Sequence, residues 1–141
     1  MRSYLVVGNQ TLDSPTLAAA IAERTARGPA TIHVVVPATP VKRGLTWNEE
    51  EARHVAQERL DSMLARLRGQ DLEVSGEIGA PDPIEAVEDA LRGRAVDEIL
   101  LSTLPSGISR WLGQDVPSRL KGSVMVPVVV ITEASETVRA G

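Results

Sequence analysis

The run Thr31-Ile32-His33-Val34-Val35-Val36 is rich in apolar, β-branched residues at odd and even positions alike. A strand with water on one face alternates apolar and polar residues. One that is apolar throughout is covered on both faces, as in a parallel sheet held between layers of helices. Tyr4–Val7, Glu98–Ser102 and Val126–Ile131 read the same way. Leu72–Ile78 differs: Leu72, Val74 and Ile78 alternate with Glu73, Ser75 and Glu77, which predicts an edge strand.

Helical periodicity fills the intervals. Around Pro15–Arg27, Leu17, Ala20, Ile21 and Arg24 fall on one face, and Pro15 suits an opening turn. Around Trp47–Arg68 a longer stripe joins Ala52, Val55, Ala56, Leu60, Met63, Leu64 and Leu67. Thr46-Trp47-Asn48-Glu49 opens it as a capping box. Glu49, Glu50 and Glu51 at its start and Arg66 and Arg68 at its end complement the helix dipole. Pro83–Arg92 carries Ile84, Val87 and Leu91. Arg27-Gly28, Arg68-Gly69 and Arg92-Gly93 predict three helix ends built alike, a last-turn cation followed by a left-handed glycine. A broken helical region follows: one turn at Ser109–Leu112, then a fresh start with Asp115 as cap and Pro117 near the first position. The order β-α-β-α-β-α-β-α-β specifies a parallel sheet with helices on both faces.

Composition narrows the function. The 141 residues suit one domain, expected over residues 1–132 with a tail at 133–141. Absence of cysteine excludes disulfides, thiolate metal sites and a cysteine nucleophile. Fifteen basic against 19 acidic residues, with three aromatics in all, lack the basic stripe and stacking platforms of a nucleic-acid binder. No apolar stretch reaches the roughly 18 residues of a membrane span, and the apolar run after Met1-Arg2 is too short for a signal peptide. The expectation is a cytoplasmic protein that binds neither nucleic acid nor membrane.

Five segments, in order and at fitting spacings, resemble the universal stress protein family over almost the whole chain. Leu5-Val6-Val7-Gly8-Asn9-Gln10-Thr11 resembles its first strand running into Val-Asp-Gly-Ser. Gly79-Ala80-Pro81-Asp82-Pro83-Ile84 resembles its Gly-x-Pro segment, and Asp97-Glu98-Ile99-Leu100-Leu101-Ser102 its Asp-x-Ile-Val-x-Gly strand. Ser106-Gly107-Ile108-Ser109-Arg110-Trp111-Leu112 resembles Ser-Gly-Leu-Ser-Arg-Leu-Leu, and Val126-Pro127-Val128-Val129-Val130 the closing strand. The resemblance implies a Rossmann-like fold of the adenine nucleotide alpha hydrolase type, with an open five-stranded sheet in the order 3-2-1-4-5. It also implies a role in stress response.

Nucleotide-binding members of that family carry Gly-x2-Gly-x9-Gly-Ser/Thr after strand four, where glycines let backbone N–H groups approach phosphates. The matching positions here are Leu101, Leu104, Gln114 and Asp115, so ATP or AMP as a cofactor is disfavoured at this loop. Asp115 sets a carboxylate where a phosphate would lie. Asn9 replaces the family's nucleotide-contacting aspartate, and its amide still bonds a sugar or base. Ligands of such sheets enter at the carboxyl ends of the central strands. The candidate crevice is therefore Gly8, Asn9, Thr11, Ser102, Thr103, Ser106, Gly107, Ser109 and Arg110. The alternative is that Asn9, Gln10 and Thr11 only make a turn, that Ser109 only caps, and that Arg110 sits in solvent.

Other candidates read as structural. Asp115 reads as a cap before a catalytic acid, His33 as a bonded histidine and His54 as part of a solvated face. Two histidines on separate elements make no metal site. Trp111 is either a core anchor or an exposed contact. No Gly-x-Ser-x-Gly, phosphate-loop or dinucleotide-loop motif occurs, so no catalytic residue is assigned.

In the order 3-2-1-4-5 the last strand is an edge, yet Val126, Val128, Val129, Val130 and Ile131 leave it uncharged. Natural proteins cover or pair such an edge. A homodimer through strand five is the expectation, in accord with the resemblance; the alternative is a tail folded back over it. The leading reading is a non-catalytic, dimeric regulatory module with a degenerate nucleotide loop. Its rival is a sensor that still holds an adenine nucleotide or another anion in the crevice.

Overall fold

A computed structural model describes residues 1–38, 49–70, 72–105 and 110–132. Its elements follow the expected alternation. They are β1 (Arg2–Val7), α1 (Pro15–Thr25), β2 (Ala30–Pro37), α2 (Glu49–Arg68), β3 (Glu73–Gly79), α3 (Pro83–Arg92), β4 (Glu98–Thr103), α4 (Arg110–Gly113), α5 (Val116–Ser123) and β5 (Val128–Thr132). The strands form one parallel sheet in the order β3-β2-β1-β4-β5.

Opposite faces of the same strands build two cores, as strands with a period of two require. Tyr4, Val6, Ile32, Val34, Val36 and Leu100 meet Leu17 and Ile21 of α1 and Ala56, Leu60, Met63 and Leu64 of α2. Leu5, Val7, Val35, Ile99 and Leu101 meet Ala86, Val87 and Ala90 of α3, Trp111 of α4, and Val116 and Leu120 of α5. Trp111 is thus a core anchor. In α3 the buried face is Pro83, Ala86, Val87 and Ala90, while Ile84 and Leu91 sit half-buried beside it.

Several boundaries differ from the sequence expectations. Helix α1 stops at Thr25, so Arg24 and not Arg27 lies in its last turn, where it joins Glu98 of β4 at 2.6 Å and donates to Ala20 O at 3.0 Å. Of the three glycines expected to be left-handed, Gly28 alone has a positive φ, +147°. Gly93 turns at φ −107° and ψ 4°, and α2 is closed by Gln70 N donating to Leu67 O at 3.0 Å; neither tight turn needs φ above zero. The hydroxyl of Ser14, not singled out beforehand, caps α1 by accepting from Thr16 N and Leu17 N at 3.1 and 3.4 Å. Asp82 caps α3 through Ile84 N at 3.0 Å. Asp115 does occupy the cap position of α5, but in a left-handed conformation (φ 58°, ψ 37°) with no side-chain capping bond. The final strand begins at Val128, two residues later than expected, because Pro127 lacks an N–H; its carbonyl still accepts from Ile99 N at 2.9 Å. The capping box at 46–49 lies largely outside the described residues, and the tail at 133–141 wholly so.

Gly79 ends β3 where α3 crosses closest. A Cβ there would stand 2.6 Å from Ala86 Cβ, 3.3 Å from Ala86 Cα and 3.1 Å from Val35 Cγ1. A helical methyl cannot rotate aside, so the helix must move. Gly79→Ala is expected to cost about 1–3 kcal/mol in urea unfolding. Gly93→Ala, with nothing within 4 Å, serves as the reference and should not share that loss.

Candidate functional site

At the carboxyl ends of β1 and β4 the chain turns tightly. Ser14 N donates to Thr11 O at 3.0 Å, and a Cβ on Gly8 would lie 3.1 Å from Leu12 Cδ2 and 3.3 Å from Ser102 Cβ. Any larger residue would press Leu12 and Ser102 apart by a few tenths of an ångström. The turn brings Thr11 onto Ser102, whose hydroxyls share a hydrogen bond of 2.5 Å, both side chains being buried. Next along β4, Thr103 is 2% exposed, and its Oγ1 has no hydrogen-bond partner among the described residues. Buried hydroxyls are normally bonded, and one left alone costs about 1–3 kcal/mol. By strand alternation Ser102 points to the α1/α2 side and Thr103 to the α3–α5 side, so the two hydroxyls bracket the end of the strand.

Asn9 is also buried, and both ends of its amide are engaged. Nδ2 donates to Pro37 O at 2.8 Å, and Oδ1 accepts from Arg59 of α2. The residue therefore ties the ends of β1 and β2 to α2. Ser106, Gly107 and Ser109 lie outside the described residues, as does the side chain of Arg110. Of the four loop positions, Leu101 is buried inside β4, Leu104 is half-buried, and Gln114 and Asp115 are exposed.

A cleft of about 430 Å³ opens beside this turn, between Asn9, Gln10, Leu12 and Asp13 on one wall and Val55, Glu58, Arg59, Ser62 and Arg66 of α2 on the other. Sequence reasoning had placed Asn9 in the candidate crevice, Gln10 in the turn and Val55 on the α2 stripe, but it gave Arg66 only a dipole charge and Arg59, Ser62 and Glu58 no role. The stripe of α2 showed which face meets the sheet, but not that the flanking arginines would meet a turn some fifty residues away.

The histidines stand elsewhere. His54 is exposed, 3.8 Å from Glu58. His33 is buried between Ser75 Oγ (2.7 Å from Nδ1) and Glu77 Oε2 (2.6 Å from Nε2) on the neighbouring strand. Burial pushes the imidazole below its ordinary range, and the charge of Arg94 adds to this, against the opposing pull of Glu77. In the neutral ring, which burial favours, Nε2–H donates to the carboxylate and Nδ1 accepts from the serine. No group of three potential metal ligands occurs among the described residues. No helix among them is long and apolar enough to cross a membrane.

No family model matches the chain, and no curated protein matches it. Solved structures do. A universal stress protein from Archaeoglobus fulgidus superimposes with a TM-score of 0.64 at 16% identity, covering 93% of each chain. A universal stress family protein from Burkholderia pseudomallei gives 0.59 at 19% identity, covering 94% of this chain and 96% of that one. The Archaeoglobus fulgidus protein in complex with dAMP gives 0.56 at 17% identity, covering 93% and 97%. The chain has the fold of these proteins.

His33 sets a pH dependence whose sign follows from its lowered pKa. Below the unfolded value of 6.5 the unfolded chain binds the proton and the native chain resists it. Stability should therefore fall as pH drops through the interval beneath 6.5. In thermal melts taken across that interval, His33→Gln should flatten the slope; an unchanged slope would assign it to other groups.

Proposed function

We propose that this chain is a non-catalytic regulatory protein of the universal stress type that acts as a homodimer and holds an adenine monophosphate at the carboxyl ends of β1 and β4. The observation that carries the reading is the Thr103 hydroxyl, without a partner among the described residues and buried at the switch point where such sheets receive ligands. With Ser102 and Thr11 it offers donors and acceptors suited to a ribose or a single phosphate. A polyphosphate finds less support. The glycine positions that would cradle it are Leu101, Leu104 and Gln114, and Asp115 adds an unfavourable charge. A universal stress protein from Archaeoglobus fulgidus with the same fold is in complex with dAMP, which supports a monophosphate as ligand.

Differential scanning fluorimetry with dAMP, AMP and ATP tests the ligand. A native-state ligand at one hundred times its Kd adds about 2.7 kcal/mol, a shift of several degrees in a domain of this size. The monophosphates should give that shift and ATP a smaller one. Thr103→Val should leave the ligand-free protein at least as stable and shrink the dAMP shift; a full shift in this variant removes the site.

The β5 edge supports the dimer. Val128, Val129, Val130 and Ile131 are all half-buried in the single chain and carry no charge. Pairing two such edges about a two-fold axis covers them. Val129→Lys should yield monomer in sedimentation velocity, while Glu73→Lys at the opposite edge should sediment as the unaltered protein does. An intact dimer in Val129→Lys rules the interface out.

A further inference from the structure

The cleft between the β1–α1 turn and α2 lies on the α1/α2 side of the sheet, opposite the side to which Thr103 points, and it serves no purpose in the reading above. Along α2, Arg59, Ser62 and Arg66 stand at i, i+3 and i+7, which places them on one face. The two arginines are about 10.5 Å apart along the axis, with the serine between them. Both arginines and the serine line the same cleft.

The guanidinium groups are held in place. Arg59 donates to the buried Asn9 Oδ1, and Arg66 Nη2 donates to Leu12 O at 3.0 Å and lies 3.4 Å from Met63 Sδ. Arg66 has no carboxylate within ion-pair distance among the described residues, and its Nη1 and Nε make no bond there. The planar fork of Arg66 and the positive charge of Arg59 flank a hydroxyl, an arrangement that recognises a phosphate oxyanion. The carboxylates lining the cleft, Asp13 and Glu58, are exposed and accept hydrogen bonds only, as does the carbonyl end of Gln10. At about 430 Å³ the cleft is far larger than one phosphate needs. The remaining space, edged by acceptors, suits a hydroxylated body.

We infer that this cleft is a second ligand site, for the phosphomonoester of a small polyhydroxylated molecule, with Arg59, Ser62 and Arg66 gripping the phosphate and Asp13 and Glu58 accepting from hydroxyls. It adjoins the candidate crevice at Asn9, but its gripping residues are not those of the Thr103 site, so the two are tested independently.

Isothermal titration calorimetry on the full chain, with ribose 5-phosphate, inorganic phosphate and ribose, tests the site. Ribose 5-phosphate should bind and ribose should not. Arg66→Ala and Ser62→Ala should each weaken ribose 5-phosphate at least tenfold, whereas Thr103→Val should leave it unchanged. Ser62 is exposed and bonds nothing that the fold needs, so its variant remains informative even if Arg66→Ala fails to fold. Inorganic phosphate binding as tightly as the ester shows that the hydroxylated body contributes nothing and overturns the proposed ligand. Absence of binding by both phosphates overturns the proposal, as does binding of ribose alone. Loss in Thr103→Val without loss in Ser62→Ala assigns the ligand to the other crevice and likewise overturns it.

Discussion

Three central strands that are apolar on both faces cannot be covered by helices on one side, and this constraint organises the molecule. The chain starts at β1, in the middle of the sheet, and steps outward to β2 and β3, with α1 and α2 on one face. It then crosses to β4 and β5 with α3, α4 and α5 on the other. Right-handed crossovers leave no other way to cover both faces. Where the direction of travel reverses, the chain leaves β1 and β4 on opposite sides of the sheet. The Gly8 turn, Thr11, Ser102 and Thr103 stand there because the two-sided core makes the reversal necessary.

Chemistry at that place is mostly neutral. Thr11 and Ser102 satisfy each other, and Asn9 is spent on Pro37 and Arg59. A site made of hydroxyls keeps little charge to be desolvated, so it persists in an interior that would expel an unpaired ion. Among the described residues, charge is confined to the flanks. There it is bonded to backbone or to amides, as with Arg59 and Arg66, or paired across elements, as with Arg24 and Glu98.

Element order, the two-sided strands and the β3 edge were readable from local pattern, because Val34-Val35-Val36 and the alternation from Glu73 to Ile78 report their surroundings directly. The five-stranded order followed from the resemblance and is the observed one. Helix ends were less readable. Arg24 is drawn to Glu98, 74 positions away, and Gly93 closes its turn without a left-handed backbone. Neither is a local signal. At the candidate site the hydroxyls of Ser102 and Thr103 could be placed by strand ends alone. The Asn9–Arg59 bond and the partners of His33 join segments roughly fifty and forty residues apart, so their residue types gave no hint of meeting.

The two margins of the sheet are unlike. On β3, Glu73 and Glu77 point outward, and the second is held by a buried imidazole, so this margin presents fixed negative charge to any neighbouring backbone. On β5 the margin is valine and isoleucine with nothing to repel a partner. A protein with two adhesive margins adds copies without limit and grows a fibre. Under the pairing proposed for β5, one adhesive margin and one that refuses would end strand-to-strand growth after a single pairing, with the acidic residues of β3 as the stop signal at the far side of the molecule.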